Sequence, residues 1–462
     1  MAPAQRHRDS DTIAAIATPP GAGAIGIIRL SGPHAIAIAR QIFQGERDPL
    51  TMKGFEASHG WIVRGNQKLD EVVLLVMRSP KSYTREDMVE ISCHGGPMVL
   101  AQVLEAAIAA GARMAEPGEF TRRAFLSGRI DLAQAEAVAA LIASETEAAA
   151  RAALRGLAGE LSEKIQALNA SLLQALSDLE AGLDFAEDDI AFISREQLII
   201  RLQGAGNELA KLASRGQAGK ILSEGIRLVI VGRPNVGKST LMNALLEKDR
   251  VMVAEAPGTT RDVVEDSFNL KGLPVRISDT AGLRENAKPI EKQAANRTRK
   301  ALNQADLALL LLDRSEPLTD YDRLLLAETK DRLRLLLLNK SDLASKLDGS
   351  ELKRLLAEEK FLEISAKTGQ GLPELRERIK EQIWQGKPAS EDALAASQRQ
   401  LEILDQCRAS LEKAITAAKD GLGEELIAAD LRKGIDCLGQ ISGETVSEQI
   451  LELIFKKFCI GK

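Results

Sequence analysis

Cysteine and histidine are both scarce, with four of each in 462 residues. The cysteines (Cys93, Cys407, Cys437 and Cys459) show no CxxC spacing, which argues against a disulfide framework or a thiolate zinc site and suits the reduced thiols of a cytosolic protein. So few histidines also disfavour a metal cluster. No apolar run approaches the roughly 18 residues of a membrane-spanning helix, and the leading stretch MAPAQRHRDSD lacks the apolar core of a signal peptide. A cytoplasmic protein without a membrane-spanning segment is expected. An excess of positive charge is missing too. The net charge is −5, which disfavours non-specific nucleic-acid binding by the whole surface and leaves any RNA contact local or supplied by a partner. The length gives room for about three domains with ample core.

The most informative stretch present is GRPNVGKST, Gly232 to Thr240. It follows the apolar run Ile226 to Val231, which reads as a buried strand, and precedes Leu241 to Leu246, which reads as a helix. That is the setting of a phosphate-binding loop. Gly232 and Gly237 allow the tight turn that aims backbone N–H groups at a phosphate, Lys238 can reach the terminal phosphates, and the Ser239 hydroxyl can bind Mg2+.

Three further motifs follow in order, each after a strand-like run. Asp279-Thr280-Ala281-Gly282 supplies an Asp able to hold Mg2+ through water and a Gly amide able to sense a terminal phosphate. Asn339-Lys340-Ser341-Asp342 supplies a carboxylate that can accept two hydrogen bonds from a guanine edge, which adenine cannot offer. Ser365-Ala366-Lys367 can present a backbone N–H to the guanine oxygen. Together they imply GTP as the ligand.

Part of the usual hydrolytic equipment is absent. Leu283 stands where a Ras-like hydrolase carries the Gln that orients the attacking water, and no arginine finger is evident. The segment VAEAPGTTRD, Val253 to Asp262, offers Thr259 and Thr260 as hydroxyls, one of which can complete Mg2+ coordination. Asn235, with the carbonyls of Ala254 and Ala256, can hold a monovalent cation; it can equally bond its own backbone. Glu291 is one of several acids after Leu283, and the residues alone give it no special standing.

Along the chain, residues 1 to about 118 mix strand-like runs with Gly/Pro turns and read as a small α+β domain. Leu161, Ile165, Leu168, Leu172, Leu176 and Leu179 then keep helical spacing, which GLDFAEDD, Gly182 to Asp189, is expected to break. Helical spacing returns after Gly386-Lys387-Pro388. One helical domain interrupted by an inserted nucleotide domain is the economical organisation; two separate helical domains are the alternative. Expected units are 1–118, 119–220, 221–384 and 385–462. Cys93-His94-Gly95-Gly96 reads as turn geometry, because neighbours on a strand face opposite ways. Cys459, near Lys456 and Lys457, reads either as a reactive thiolate or as a buried thiol on the last helix.

With ATPPGAGAIGIIRLSG, SYTREDMVEISCHGGP, PGEFTRRAFLSGRIDLAQAEAV, LDFAEDDI, PGTTRD, DTAGLRE and the terminal FCIGK added to the phosphate loop, the chain resembles the MnmE (TrmE) family of tRNA modification GTPases over nearly its whole length. The resemblance implies a multidomain α/β and α protein: an N-terminal α+β folate-binding domain, an α-helical domain, and a Ras-like P-loop G domain inserted into it. It implies a homodimer whose G domains meet in a potassium-dependent manner, and a flavoprotein partner, MnmG, in a heterotetramer. Together they act on the wobble uridine of certain tRNAs, with a one-carbon unit from 5,10-methylenetetrahydrofolate or a related reduced folate.

By the same resemblance, GTP contacts fall on Asn235, Val236, Gly237, Lys238, Ser239 and Thr240. They continue on Ala254, Glu255, Ala256, Pro257, Gly258, Thr259 and Thr260, on Asp279 to Gly282, on Asn339, Lys340 and Asp342, and on Ser365 to Lys367. Mg2+ falls to Ser239 and Thr260, and K+ to Asn235, Ala254, Ala256 and Thr259. The water-orienting acid is Glu291, twelve residues beyond Asp279. Folate contacts are Arg29, Glu90, Arg129 and Lys462, and Cys459 is the family's tail cysteine, a candidate catalytic residue whose chemistry the match does not decide. Two positions depart from the pattern: Lys288 where an acid is common, and Arg129 where Lys is frequent, which changes hydrogen-bond geometry. A regulatory RNA-binding GTPase like Era or Der would carry a KH module or a second G domain, and neither is evident.

Overall fold

The computed structural model describes residues 11–184, 194–246, 266–270, 272–279, 299–356, 359–384 and 390–462. The first unit is a sheet under two helices: β1 (Ile13–Ile16), β2 (Ile25–Ser31), α1 (Ala35–Ile42), β3 (Phe43–Gly45), β4 (Glu56–Arg64), β5 (Gln67–Met77), β6 (Met88–His94), α2 (Pro97–Ala109) and β7 (Arg113–Met114). The strands lie in the order β3-β4-β5-β6-β2-β1-β7 and are antiparallel except for β1 with β7. The two-residue period of a strand divides the faces. Ile28 and Leu30 of β2 join Ile91 of β6 in the core beneath α1 and α2. Arg29 and its cross-strand partner Glu90 therefore project from the opposite face.

Helices follow: α3 (Glu119–Leu126), α4 (Leu132–Ile142), α5 (Glu147–Leu157), α6 (Glu160–Asp184) and α7 (Arg195–Glu224). α6 reaches Asp184, within the Gly182 to Asp189 segment expected to break the helical spacing, and the rest of that segment lies outside the described residues.

The second sheet comprises β8 (Ile226–Val231), α8 (Lys238–Leu246), β9 (Asp266–Leu270), β10 (Leu273–Asp279), β11 (Leu307–Asp313), α9 (Asp320–Glu328), β12 (Arg334–Asn339), α10 (Gly349–Leu356), β13 (Phe361–Glu363) and α11 (Leu372–Trp384). Strand order is β13-β12-β11-β8-β10-β9, parallel except for the β9–β10 hairpin. Near-continuous apolar runs such as LALLLLD suit strands covered on both faces, and separate cores lie on the two sides. β8 has β11 on one side and β10 on the other, so its C-terminal end is the point where strand order reverses and ligands bind in such sheets.

The last helices are α12 (Gln398–Lys419), α13 (Glu424–Ser442) and α14 (Glu448–Phe455). α12 and α13 share one core with α6 and α7: Leu172, Leu202, Leu404, Cys407, Leu411 and Leu431 are in a single cluster. Glu136 of α4 accepts hydrogen bonds from Ser397, Arg399 and Gln400 at the start of α12, which Ser397 and Gln400 also cap reciprocally; such a cap contributes about 1 kcal/mol. Helices on either side of the second sheet thus pack as one body.

Beyond α14 the chain returns to the first sheet. Phe455 and Phe458 pack with Ala124, Ile130 and Leu132, and the Gly118 amide donates to the Cys459 carbonyl at 3.3 Å. Gly461 has φ 91°, and a Cβ there would lie 2.4 Å from the Ile16 carbonyl oxygen. The close approach of the tail to β1 requires glycine.

Candidate functional site

The loop from Gly232 to Gly237 leaves the C-terminal end of β8 and opens into α8. Asn235 and Gly237 both take left-handed backbone angles, 62° and 103°, the alternation that turns successive N–H groups toward one point. Lys238 Nζ folds over the loop and donates to the carbonyls of Gly232 at 3.0 Å and Arg233 at 2.9 Å. Ser239 and Thr240, in the first turn of α8, are exposed, as is Asn235.

Asn339, at the end of β12, is buried. Its Nδ2 donates to the Val236 carbonyl at 2.7 Å, and its Oδ1 accepts from the Ala366 amide at 2.9 Å. One side chain therefore ties the phosphate loop to the Ser365-Ala366-Lys367 turn. A Cβ on Gly237 would fall 2.4 Å from that same Nδ2. Asp342 stands exposed beside them, with Oδ1 accepting from Ser365 Oγ at 2.7 Å. That hydrogen bond, helped by the Lys367 and Lys340 charges, holds its carboxyl below the usual carboxylate range. Of the three amides in the turn, Ser365 donates to Gln370 and Ala366 to Asn339.

The structure thus gathers Asn235 to Thr240, Asn339, Lys340, Asp342 and Ser365 to Lys367 at one end of the sheet. Asp279 closes β10 at the same end, described by its backbone alone. Ala254 to Thr260, Thr280 to Gly282, Lys288 and Glu291 lie outside the described residues.

A second cluster forms on the face of the first sheet opposite α1 and α2, beside a small core of Ile13, Ala15, Met88 and Phe120. Arg29 donates through Nε to Glu90 Oε1 at 2.9 Å and through Nη1 to the Gly461 carbonyl at 3.1 Å. Its guanidinium lies 5.9 Å from the Tyr83 ring centre and 5.7 Å from that of Phe120. Arg129 sits 4.8 Å from the Tyr83 ring and donates to the Tyr83 carbonyl. Arg29, Glu90 and Arg129 are brought together, with Tyr83 between the two arginines. Lys462 follows Gly461 and is half-buried, and Cys459 is exposed just beyond α14. A buried thiol at Cys459 is therefore not what the fold provides.

Behind this cluster, Arg113 and Arg123 bind Asp11 and Glu119, and Arg123 also binds Glu86. Burial pushes the Glu119 carboxyl upward, but the Arg113 hydrogen bonds, the Glu116 amide and the charge of Arg123 outweigh it and leave it low. Cys93 and His94 face opposite ways, as alternation requires. The Cys93 thiol is buried and pushed up to about 12 by that burial and by Asp70. His94 is exposed with Nδ1 2.6 Å from Asp70 Oδ1, a contact that raises its pKa. The two form no nucleophile pair.

Sequence reasoning missed Tyr83, although it lies inside SYTREDMVE, and Asp313, whose signal was a lone acid ending an otherwise apolar strand. Among the described residues no group of three His, Cys, Asp or Glu is placed to hold a metal, and no helix is long and apolar enough to cross a membrane.

Residues 132–459 match the family model of the MnmE helical domain, and residues 12–129 that of the GTP-binding protein TrmE N-terminus. The tRNA modification GTPase MnmE of Enterococcus faecalis is 43% identical over 457 residues, 98% of either chain. Its namesakes in Natranaerobius thermophilus and Acetivibrio thermocellus are 43% and 42% identical over 455 residues, 98% of this chain and 99% of theirs. Identity at this level from end to end, over both the first sheet with its arginine cluster and the helices around the phosphate loop, shows that the chain belongs to the MnmE family of tRNA modification GTPases.

Proposed function

We propose that the protein hydrolyses GTP to drive modification of the wobble uridine of certain tRNAs. It works with the flavoprotein MnmG, as a homodimer within a heterotetramer in the cytoplasm, and adds a carboxymethylaminomethyl- or aminomethyl-type group with a reduced-folate one-carbon unit. The carrying observation is the Asn339 bridge, which fixes the phosphate loop and the base-recognition turn in one frame. With the Ser365 and Ala366 amides used inside the fold, Lys367 is left to donate to a guanine oxygen, while Asp342, kept ionised, accepts from the guanine edge.

Ser239 and Thr260 would hold Mg2+, which supplies charge neutralisation at the phosphates. Asn235 is the proposed K+ ligand within the phosphate loop; its left-handed backbone and exposed side chain are compatible with that role. Ala254, Ala256 and Thr259 would complete that set, and Glu291 would orient the attacking water in place of the Gln that Leu283 replaces. The shared helical core supports reading the helices as one domain into which the nucleotide domain is inserted.

For the reduced folate, Arg29, Glu90, Arg129 and Lys462 are the proposed contacts. The paired arginines about Tyr83 and the Glu90 carboxylate suit a flat, hydrogen-bonding ring system carrying carboxylates. Cys459, exposed two residues before Gly461, is the proposed tail thiol.

The test compares phosphate release in potassium and in sodium at equal ionic strength. Potassium should give much the faster rate, Asn235→Ala should erase the difference, and Glu291→Ala should lose most of kcat with GTP binding kept. Equal rates in the two salts would rule out the cation role, and a lost affinity with normal kcat would rule out that of Glu291.

A further inference from the structure

Asp313 belongs to none of the nucleotide motifs, yet it lies between two of them. It ends β11, every residue of which is buried, and its own side chain is 3% exposed. Oδ1 accepts from the Ser315 amide at 2.9 Å and from Ser315 Oγ at 2.6 Å. Oδ2 accepts from Lys340 Nζ at 2.6 Å and lies 3.5 Å from Arg233 Nη2. Burial alone would raise this carboxyl, but Lys340 and Ser315 hold it below the usual range, so it stays charged beside its two cations.

Both cations sit on the nucleotide loops. Lys340 has a left-handed φ of 65°. A side chain-bearing residue held there costs about 1 kcal/mol or more, and persists only where its surroundings fix it. The Asp313 contact and the Ser341 amide bond to the Ile364 carbonyl do so. Arg233, the second residue of the phosphate loop, reaches Glu316 at 2.6 Å and Asp322 at 3.8 Å as well as Asp313. Its Nε is buried without a hydrogen-bond partner among the described residues. Nη2 serves both Asp313 and Glu316, while Nε faces the Asp322 carboxylate at 3.8 Å, beyond hydrogen-bond range. Glu316 is largely exposed, and an exposed pair is weak; of the two buried carboxylates, Asp313 at 3.5 Å is nearer than Asp322 at 3.8 Å and is the firmer anchor.

We propose that Asp313 is a positioning residue for the nucleotide. It holds the Lys340 ammonium so that the stem of Lys340 is presented to the base, and it restrains Arg233 at the entry of the phosphate loop, so that one buried carboxylate sets how long nucleotide stays bound. This rests on the GTP-site reading above.

The full-length protein is tested with a fluorescent methylanthraniloyl derivative of GDP and by steady-state GTP hydrolysis. Asp313→Asn keeps the shape and removes the charge. Weakening one charged hydrogen bond should speed release of the probe about tenfold and raise KM for GTP similarly, with kcat unchanged within about twofold. A purely structural role would instead lower the melting temperature and the fraction of active protein while leaving KM alone. Lys340→Met should weaken binding by itself, and adding Asp313→Asn to it should cost little more, because both remove one interaction. Should Asp313→Asn not fold, Ser315→Ala, which loosens Asp313 without touching either cation, should speed release about threefold. Unchanged release in the variant that folds, or effects of Lys340→Met and Asp313→Asn that multiply, would overturn the proposal. A wild-type protein that binds no probe would remove the GTP-site reading itself, which distinguishes the two failures.

Discussion

Replacing Gly461 by alanine adds one methyl group to a chain of 462 residues, and the structure gives it a large local effect. At φ 91° an L-residue is strained by about 1–2 kcal/mol. The new Cβ would stand 2.4 Å from the Ile16 carbonyl oxygen and 3.0 Å from Ala17 Cα, both backbone atoms that cannot rotate aside. The tail must lift, and the hydrogen bond from Arg29 to the Gly461 carbonyl goes with it. Because Arg29 keeps Glu90 as a partner, the low end of the range applies, and a loss of about 2 kcal/mol shifts the docked tail roughly thirtyfold toward the undocked form. Phe455 and Phe458 remain buried upstream, so the melting temperature should hardly move. At the proposed folate site, equilibrium binding of 5-formyltetrahydrofolate should weaken about tenfold or more, while GTP hydrolysis stays at the wild-type rate. Wild-type folate affinity in Gly461→Ala would refute the placement of the tail at the folate site; a matching fall in GTP hydrolysis would refute the separation of the two sites.

Three other outcomes follow from the geometry. Asp342→Asn should move nucleotide preference from GTP toward xanthosine triphosphate, measured by competition binding, and unchanged GTP affinity would contradict the role of Asp342 at the base edge. Cys459→Ser keeps the size of an exposed side chain but cannot supply a thiolate, so GTP hydrolysis should persist while wobble-uridine modification collapses in complemented cells; full modification would show that the thiol is dispensable. Asp11 and Glu119 have carboxyls lowered in the fold from ordinary values of 3.8 and 4.5. The stability they contribute is therefore fully present above those values and is lost as pH falls through the lower folded ones. Melting temperature should be steady near neutrality and fall in acid, and Glu119→Gln should shallow that fall; an unchanged acid profile would remove Glu119 from the network.

The parts of this fold legible in sequence are those fixed by local pattern. The run IRLVIV before GRPNVGKST reads as a buried strand feeding a phosphate loop, and Asn339 and Asp342 follow a strand of the same kind. The helical spacing of Leu161 to Leu179 was equally plain, and α6 carries all of it. The close approach of Gly461 to β1 was not legible, because it depends on the Arg29 side chain and the Ile16 backbone meeting a residue more than four hundred positions along the chain. Asp313 was overlooked for a related reason: its importance comes from Lys340 and Arg233 arriving from separate loops. The segments holding Ala254 to Thr260 and Glu291 lie outside the described residues, so their roles rest on the family match and the proposals built on it.

The central claim is that GTP turnover at this phosphate loop drives tRNA wobble-uridine modification. It is tested most directly by mass spectrometry of nucleosides from the tRNA of a strain lacking this protein, complemented with wild type or with Lys238→Ala. The account predicts that the aminomethyl-type wobble uridines vanish in the deletion, return with wild type, and stay absent with Lys238→Ala expressed at the same level. Normal modification in the deletion strain, or full rescue by Lys238→Ala, would contradict it.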